Sequence, residues 1–301
     1  MSLKLTTSNF RAFELLTNAL RAIDRYYHGR SIRDVEQASS SIDDALAQDN
    51  DYGLAVYYKG VVLDLIGKPA DAPKCFERIL TECNERNLEI ETRFNLGVAY
   101  YHQYSHQCLE QAKFHFEQVI EKARDAKLKH LAQAHLAQTH AMWMRPSYEQ
   151  LPDKQMQVSI EVRQHIEHHF KECQALVAML RTVKRKQHRL IATYENANGM
   201  SNMYYTDHVA CEVSTRGSHL KIARDSLLTA EKRLPNDWAN TCDLGSVELR
   251  LAILARDSEK PNDEIETNFS AGRDYLLRVV NDLRPGYGFA LYELAHVCQL
   301  R

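Results

Sequence analysis

The chain has 301 residues, of which 44% are hydrophobic and 26% charged. That is the balance of a folded chain, and it excludes low-complexity disorder and a collagen-like repeat. Thirty-eight Lys and Arg against 40 Asp and Glu leave a net charge of -2. Proteins that coat nucleic acid or anionic membranes are usually far more basic, so both roles are disfavoured. Eleven Gly and 7 Pro supply too few turns for a many-stranded sandwich, which leaves helix as the main element.

The first ten residues, Met1 to Phe10, lack the apolar run of a signal peptide. No stretch approaches the length of a membrane span, so no membrane partner is expected. The seven cysteines are scattered without a C-x-x-C pair. This pattern suggests neither a disulfide framework nor a zinc ribbon, and it fits a reduced, cytoplasmic chain.

Taken in chain order, the sequence repeats itself. Ala38, Ile42 and Ala45 precede Gly60 at helical spacing, and Ala72, Phe76 and Ile79 follow it. Ala38 to Gly60 and Gly60 to Ala72 together span 34 residues. The pattern returns at Leu96-Gly97 with Ala112, Phe116 and Val119. It returns again with Cys211 in the small position, followed by Ala223, Leu227 and Ala230. Leu244-Gly245 opens another unit, with Ala271, Tyr275 and Val279 after it. Gly67-Lys68-Pro69 reads as a helix–turn–helix junction, with Gly closing one helix and Pro near the start of the next.

These motifs resemble the tetratricopeptide repeat, a helix–turn–helix unit of 34 residues. Units fall at roughly 10–50, 51–87, 88–127, 204–236 and 237–286, with lone first helices at 128–144 and 287–300. The resemblance implies an all-α, right-handed solenoid of such repeats, with one long inserted helix. Three regions follow: an N-terminal array over 1–144, a linker with a protruding helix and flexible loop over 145–203, and a C-terminal array over 204–301. Residues 153–194 carry apolar positions stepping by three and four, which predicts one helix. Residues 195–203 hold Asn196, Asn198, Gly199, Ser201 and Asn202, and they read as a mobile polar loop. The resemblance also demands close contact at Gly60, Gly97 and Gly245, where a second helix must approach.

No phosphate-binding glycine loop, dinucleotide fingerprint, H-E-x-x-H or G-x-S-x-G motif occurs. No cofactor or resident metal is expected. His165, His169 and Cys173 share a helix face, but the outer two lie about 12 Å apart along the axis, too far to hold one zinc. Arg163 and His168 have the R-x-x-x-x-H spacing of HEPN ribonucleases, a pairing that also recurs by chance in a chain this rich in Arg and His. A nuclease using that pair is the enzymatic alternative to a non-catalytic chain.

In the tetratricopeptide family the first helices line a concave groove that binds peptides. Carried onto this chain, the groove-facing positions are Tyr57, Asp64, Tyr101, His102, His135 and Gln138. The later units add Tyr205, His208, Glu212, Arg216, Ser246, Arg250, Tyr292 and His296. A protein-binding scaffold or sensor is therefore expected, with a protein or peptide partner. A basic cluster at Arg181, Lys184, Arg185 and Arg189 offers the alternative of a nucleic-acid or nucleotide sensor, since cations there could meet phosphate. Apolar residues spread around the last helix, from Phe289 to Leu300, and call for cover. Continuation of the natural chain beyond Arg301 into an effector domain, a second copy of the chain, or an effector subunit docking there would supply it.

Overall fold

The computed structural model describes residues 3–29, 31–83, 88–145, 160–184, 187–209, 212–284 and 287–300. Among them every regular element is helical, with two isolated bridges where Leu3 meets Cys83 and Lys4 meets Tyr52. The helices are α1 (Phe10–Gly29), α2 (Ile32–Gln48), α3 (Gly53–Leu65), α4 (Ala72–Glu82), α5 (Glu89–Tyr101), α6 (His106–Lys122) and α7 (Ala126–Trp143). They continue with α8 (Ile160–Thr182), α9 (His188–His208), α10 (Val213–Arg233), α11 (Trp238–Asp257), α12 (Asn262–Arg278) and α13 (Gly288–Leu300). The last turn of α12 runs into a π-helical segment, Val279–Leu283. The chain forms two compact units, up to Ala132 and from Gln133, and α7 crosses from one to the other. No helix among the described residues is long and apolar enough to cross a membrane.

Local chemistry explains the joints. Gly67, at φ 83°, follows the end of α3. The Lys68 amide donates to the Leu63 carbonyl at 2.8 Å and the Gly67 amide to Asp64 at 3.1 Å. This is the glycine-dependent helix stop that satisfies the last free carbonyls. Pro73 then stands in the first turn of α4, where its missing N–H is harmless. The Ser105 and Asp237 side chains cap α6 and α11 by accepting from Cys108 and Asn240.

In the first unit, helices pair in sequence: α1 with α2, α3 with α4, α5 with α6. Their cores are built from Leu16, Ile23, Val35 and Ile42, then from Val56, Phe76, Ile79 and Leu96. The second unit pairs α9 with α10 and α11 with α12. Every pair after α1 and α2 turns on a glycine. A Cβ at Gly60 would lie 2.8 Å from the Phe76 ring, and one at Gly97 2.8 Å from the Phe116 ring. One at Gly245 would lie 2.7 Å from Leu276. The three expected contacts are therefore present, and they are the packing the tetratricopeptide pattern requires.

Residues 153–194 do not form one helix. Residues 153–159, like the proline-bracketed linker before them, lie outside the described residues. Beyond them the chain makes two helices, α8 ending at Thr182 and α9 starting at His188. Nor does α8 protrude, since it packs along α9 through Ile166, Cys173, Val177 and Leu180. The expected loop at 195–203 is the buried middle of α9. Asn196, Asn198 and Asn202 favour turns when their amides bond to their own backbone. Here their amides bond chiefly to other helices: Gln174 donates to Asn198 at 3.0 Å, and Asn198 donates to Ser226 at 2.7 Å. Gly199 then does in α9 what Gly60 does in α3, because a Cβ there would stand 2.5 Å from Leu227. The repeat anchor opposite Leu227 is thus Gly199 and not Cys211, which lies outside the described residues. The anchor opposite α11 is likewise one residue later than the pattern suggests. Gly272 and Leu276 face Gly245 and Leu249, where Ala271 and Tyr275 were expected. Limited proteolysis should accordingly spare 195–203, with first cuts elsewhere. A first cut mapped by mass spectrometry inside 195–203 would contradict this placement.

Candidate functional site

In the first unit, successive first helices meet position by position. The Asn95 amide donates to the Tyr57 hydroxyl at 2.6 Å, and His102 Nδ1 lies 2.7 Å from Asp64 Oδ1. Both pairs are separated by 38 residues. Asp64 and His102, both expected on the groove, do come together. Tyr57 and Tyr101 do not serve as an open surface. Tyr57 is buried against Phe76 and Tyr58, and Tyr101 is buried beside His102 and Tyr104.

The second unit concentrates charge where a purely structural array would bury aliphatic side chains. On α11, Asp243, Ser246 and Arg250 recur at three and four residues and share one face. Arg250 Nε donates to Asp207 Oδ1 at 3.0 Å and Nη2 to Oδ2 at 2.9 Å, a two-pronged grip on a carboxylate from α9. Its Nη1 donates to the Ser246 carbonyl at 3.1 Å and stands 3.7 Å from Glu293 of α13. Burial works against the Arg250 charge, yet Asp207 and Glu293 outweigh it and hold the guanidinium pKa above its ordinary value.

One turn earlier, Asp243 Oδ2 accepts from the Asn196 amide at 2.9 Å. Asn196 in turn accepts from Gln138 of α7 at 2.7 Å. Asn240 closes this side by donating to the Leu227 carbonyl at 3.1 Å. The end of α7 also joins in, since Arg145 lies 3.8 Å over the Phe289 ring of α13. Side chains of α7, α9, α11 and α13 thus form one connected polar face. Two buried acceptors on it, Gln138 Oε1 and Ser246 Oγ, have no hydrogen-bond partner among the described residues. Such orphans are uncommon in native proteins and point to an external partner.

Burial pushes the Asp243 carboxyl up to about 7, and Asp237 adds to the rise. Asn196, Arg145 and Arg250 pull the other way. Burial also lowers His208, which leaves it neutral near pH 7. The folded-state pKa of Asp243 lies above its unfolded value of about 4. Its contribution to stability is therefore full at low pH and is lost as pH rises through about 7. Asp243→Asn should remove that loss, raising stability at pH 8 by up to about 4 kcal/mol and flattening the curve between pH 4 and 7. Urea midpoints of both proteins across that range check it. Parallel curves would show that Asp243 titrates normally.

The other expected residues scatter. Tyr205 is turned from this face, with its ring on Phe170 and His219 of α8 and α10. Glu212 is exposed just before α10, Arg216 is half-buried on α10, and His135 is buried in α7. Tyr292 is half-buried, and the His296 side chain lies outside the described residues. Around α13, Ala290 and Val297 are buried while Leu291 is exposed. In the basic cluster Arg181 is engaged, donating to both oxygens of Glu195 at 3.1 and 2.7 Å. Lys184 and Arg189 are exposed, and Arg185 lies outside the described residues. Arg163 and His168 are both exposed on α8, about 140° apart around its axis. His169 stacks on Trp143, its Nδ1 2.9 Å from His140 Nδ1, while Cys173 is directed to the Ala197 carbonyl. No group of three potential metal ligands occurs among the described residues.

Sequence reasoning had missed Asn196, Asp207, Asp243 and Glu293, all on first helices. The available signal was the spacing of Asp243, Ser246 and Arg250, which puts a third polar residue on the face already assigned to two of them.

No protein-family model matches the chain, and no curated protein matches it. Among solved structures it is similar to a monomeric mutant of IFIT1 with m7Gppp-AAAA in the anti conformation of the cap. The likeness has 13% identity and a TM-score of 0.44, over 99% of this chain and 72% of that one. A likeness this loose transfers no site.

Proposed function

We propose that the chain is a non-catalytic binding module that takes a segment of a protein partner on the polar face of α7, α9, α11 and α13. The observation that carries this reading is the convergence of Asp207, Asp243, Arg250 and Glu293 from three helices. Buried ion pairs are seldom the most stable way to fill a helix array, because desolvation offsets much of their attraction. A face that keeps them, and adds two orphaned acceptors, is better suited to recognition than to stability alone. Gln138 adds an amide oxygen, of the kind that accepts from peptide backbone, with no partner of its own.

The test uses peptides selected on the full chain from a displayed random library. A benzophenone side chain placed at Tyr292, half-buried on α13 next to Glu293, should cross-link to the selected peptides, and one placed at Lys184 should not. Single-stranded RNA should leave the Tyr292 product unchanged. Cross-linking confined to Lys184 and abolished by RNA would assign binding to the basic cluster and overturn the reading.

A further inference from the structure

We infer that this face is built to receive a cationic group of the partner, a lysine ammonium or an arginine guanidinium, between Asp243, Gln138 and Ser246. The inference rests on the binding face proposed above and adds the chemistry of what enters it.

The charges leave an excess of carboxylates. Four of them, Asp207, Asp237, Asp243 and Glu293, act here against two guanidiniums, those of Arg145 and Arg250. Arg250 is committed to Asp207 and Glu293, and Arg145 lies over Phe289. Among the described residues Asp243 is in no ion pair; its donor is the neutral amide of Asn196. Burial disfavours the charged form of His208 on the same helix as Asp207. The hydrogen-bonding groups left over match this count. Gln138 Oε1 and Ser246 Oγ are buried oxygens without a partner, and Ser246 is fully buried. Oxygens that need donors suit an ammonium, which carries three donors and no acceptor.

A proton follows from the same geometry. The groups acting on Asp243 are Asp237 and Arg250 of its own helix region, Asn196 of α9 and Arg145 after α7. Asp207, Tyr204 and His208 of α9, Cys242 of α11 and Glu293 of α13 complete the surroundings. With Asp243 raised to about 7, a large share of free chains carry it protonated at neutral pH. An entering cation favours the ionised form, so binding should expel a proton and tighten as pH rises.

The experiment compares the native chain with Asp243→Asn, which keeps the shape and removes the charge. Peptides selected on the native chain should share one Lys or Arg at a fixed position. Replacing it by norleucine or citrulline should weaken binding at least 10-fold to the native chain and less than 2-fold to Asp243→Asn. Affinity should rise about 10-fold between pH 6 and 8 for the native chain and stay flat for the variant. Peptides that cross-link at Tyr292 but carry no fixed cation would overturn the cation assignment and leave the binding face standing. A library that yields nothing cross-linking at Tyr292 would remove the face itself, and the inference with it.

Discussion

Arg250→Leu should destabilise the chain by about 1–3 kcal/mol, between the small cost of breaking an exposed ion pair and the larger cost of stranding a fully buried charge, because Arg250 and Asp207 are only partly buried. The loss is more than the missing contacts. Asp207 and Glu293 would remain, with side chains 18% and 8% exposed, and would face each other without a cation. The Ser246 carbonyl would also lose its extra donor. Arg250→Lys keeps the charge but cannot reproduce the fork that spans both Asp207 oxygens, so its cost should be intermediate. The double variant Arg250→Leu with Asp207→Leu should recover part of the loss, since it deletes the stranded carboxylate. Urea unfolding of the four proteins provides the measurement, with stability read from the midpoint at constant slope. If Arg250→Leu shifts the midpoint by less than about 1 kcal/mol, the cluster is solvated and the account of the face fails.

The sequence made the fold more legible than the face. Glycine and aromatic positions such as Gly60 with Phe76 or Gly97 with Phe116 can be read without coordinates, because close packing of two helices demands a small residue opposite a large one. The reading failed at α9, where Asn196, Asn198, Gly199, Ser201 and Asn202 look like a turn. Local propensity lost there to tertiary bonding, since each amide found a partner on another helix. A fixed period also misled. Helices α9 and α10 each have 21 residues, against 13 and 11 in α3 and α4, so the anchor moved upstream from Cys211 to Gly199. The face itself was half visible. Ser246 and Arg250 could be assigned by analogy of position, but Asp207, Asp243 and Glu293 could not. Acidic residues on a helix read as solvated until a neighbouring helix is known to cover them.

Gly199→Leu should be the most disruptive change within the helices, and Gly199→Ala shows why. A single Cβ at this position would stand 2.5 Å from Leu227 Cγ and 3.1 Å from the Ala223 carbonyl. Leu227 is fully buried and cannot swing away, so α9 and α10 must separate. Overpacking of this kind costs about 1–3 kcal/mol for one methyl group, which exceeds the gain of about 1 kcal/mol that alanine brings to a helix interior. Gly199→Leu adds three more carbons to the same contact and should leave little folded protein. Two further variants establish the cause. At Gly217 of α10 a Cβ would meet only Leu254 Cδ2, at an ordinary contact distance of 3.6 Å, so Gly217→Ala should stabilise by up to about 1 kcal/mol. Leu227→Ala alone should cost about 2–5 kcal/mol by leaving a cavity, and Gly199→Ala should cost little or nothing on that background, because the new methyl fills part of the space. Thermal and urea unfolding of the single and double variants would measure this coupling. Simple additivity of Gly199→Ala and Leu227→Ala would mean that the two residues do not touch, and the glycine contact that organises α9 against α10 would be wrong.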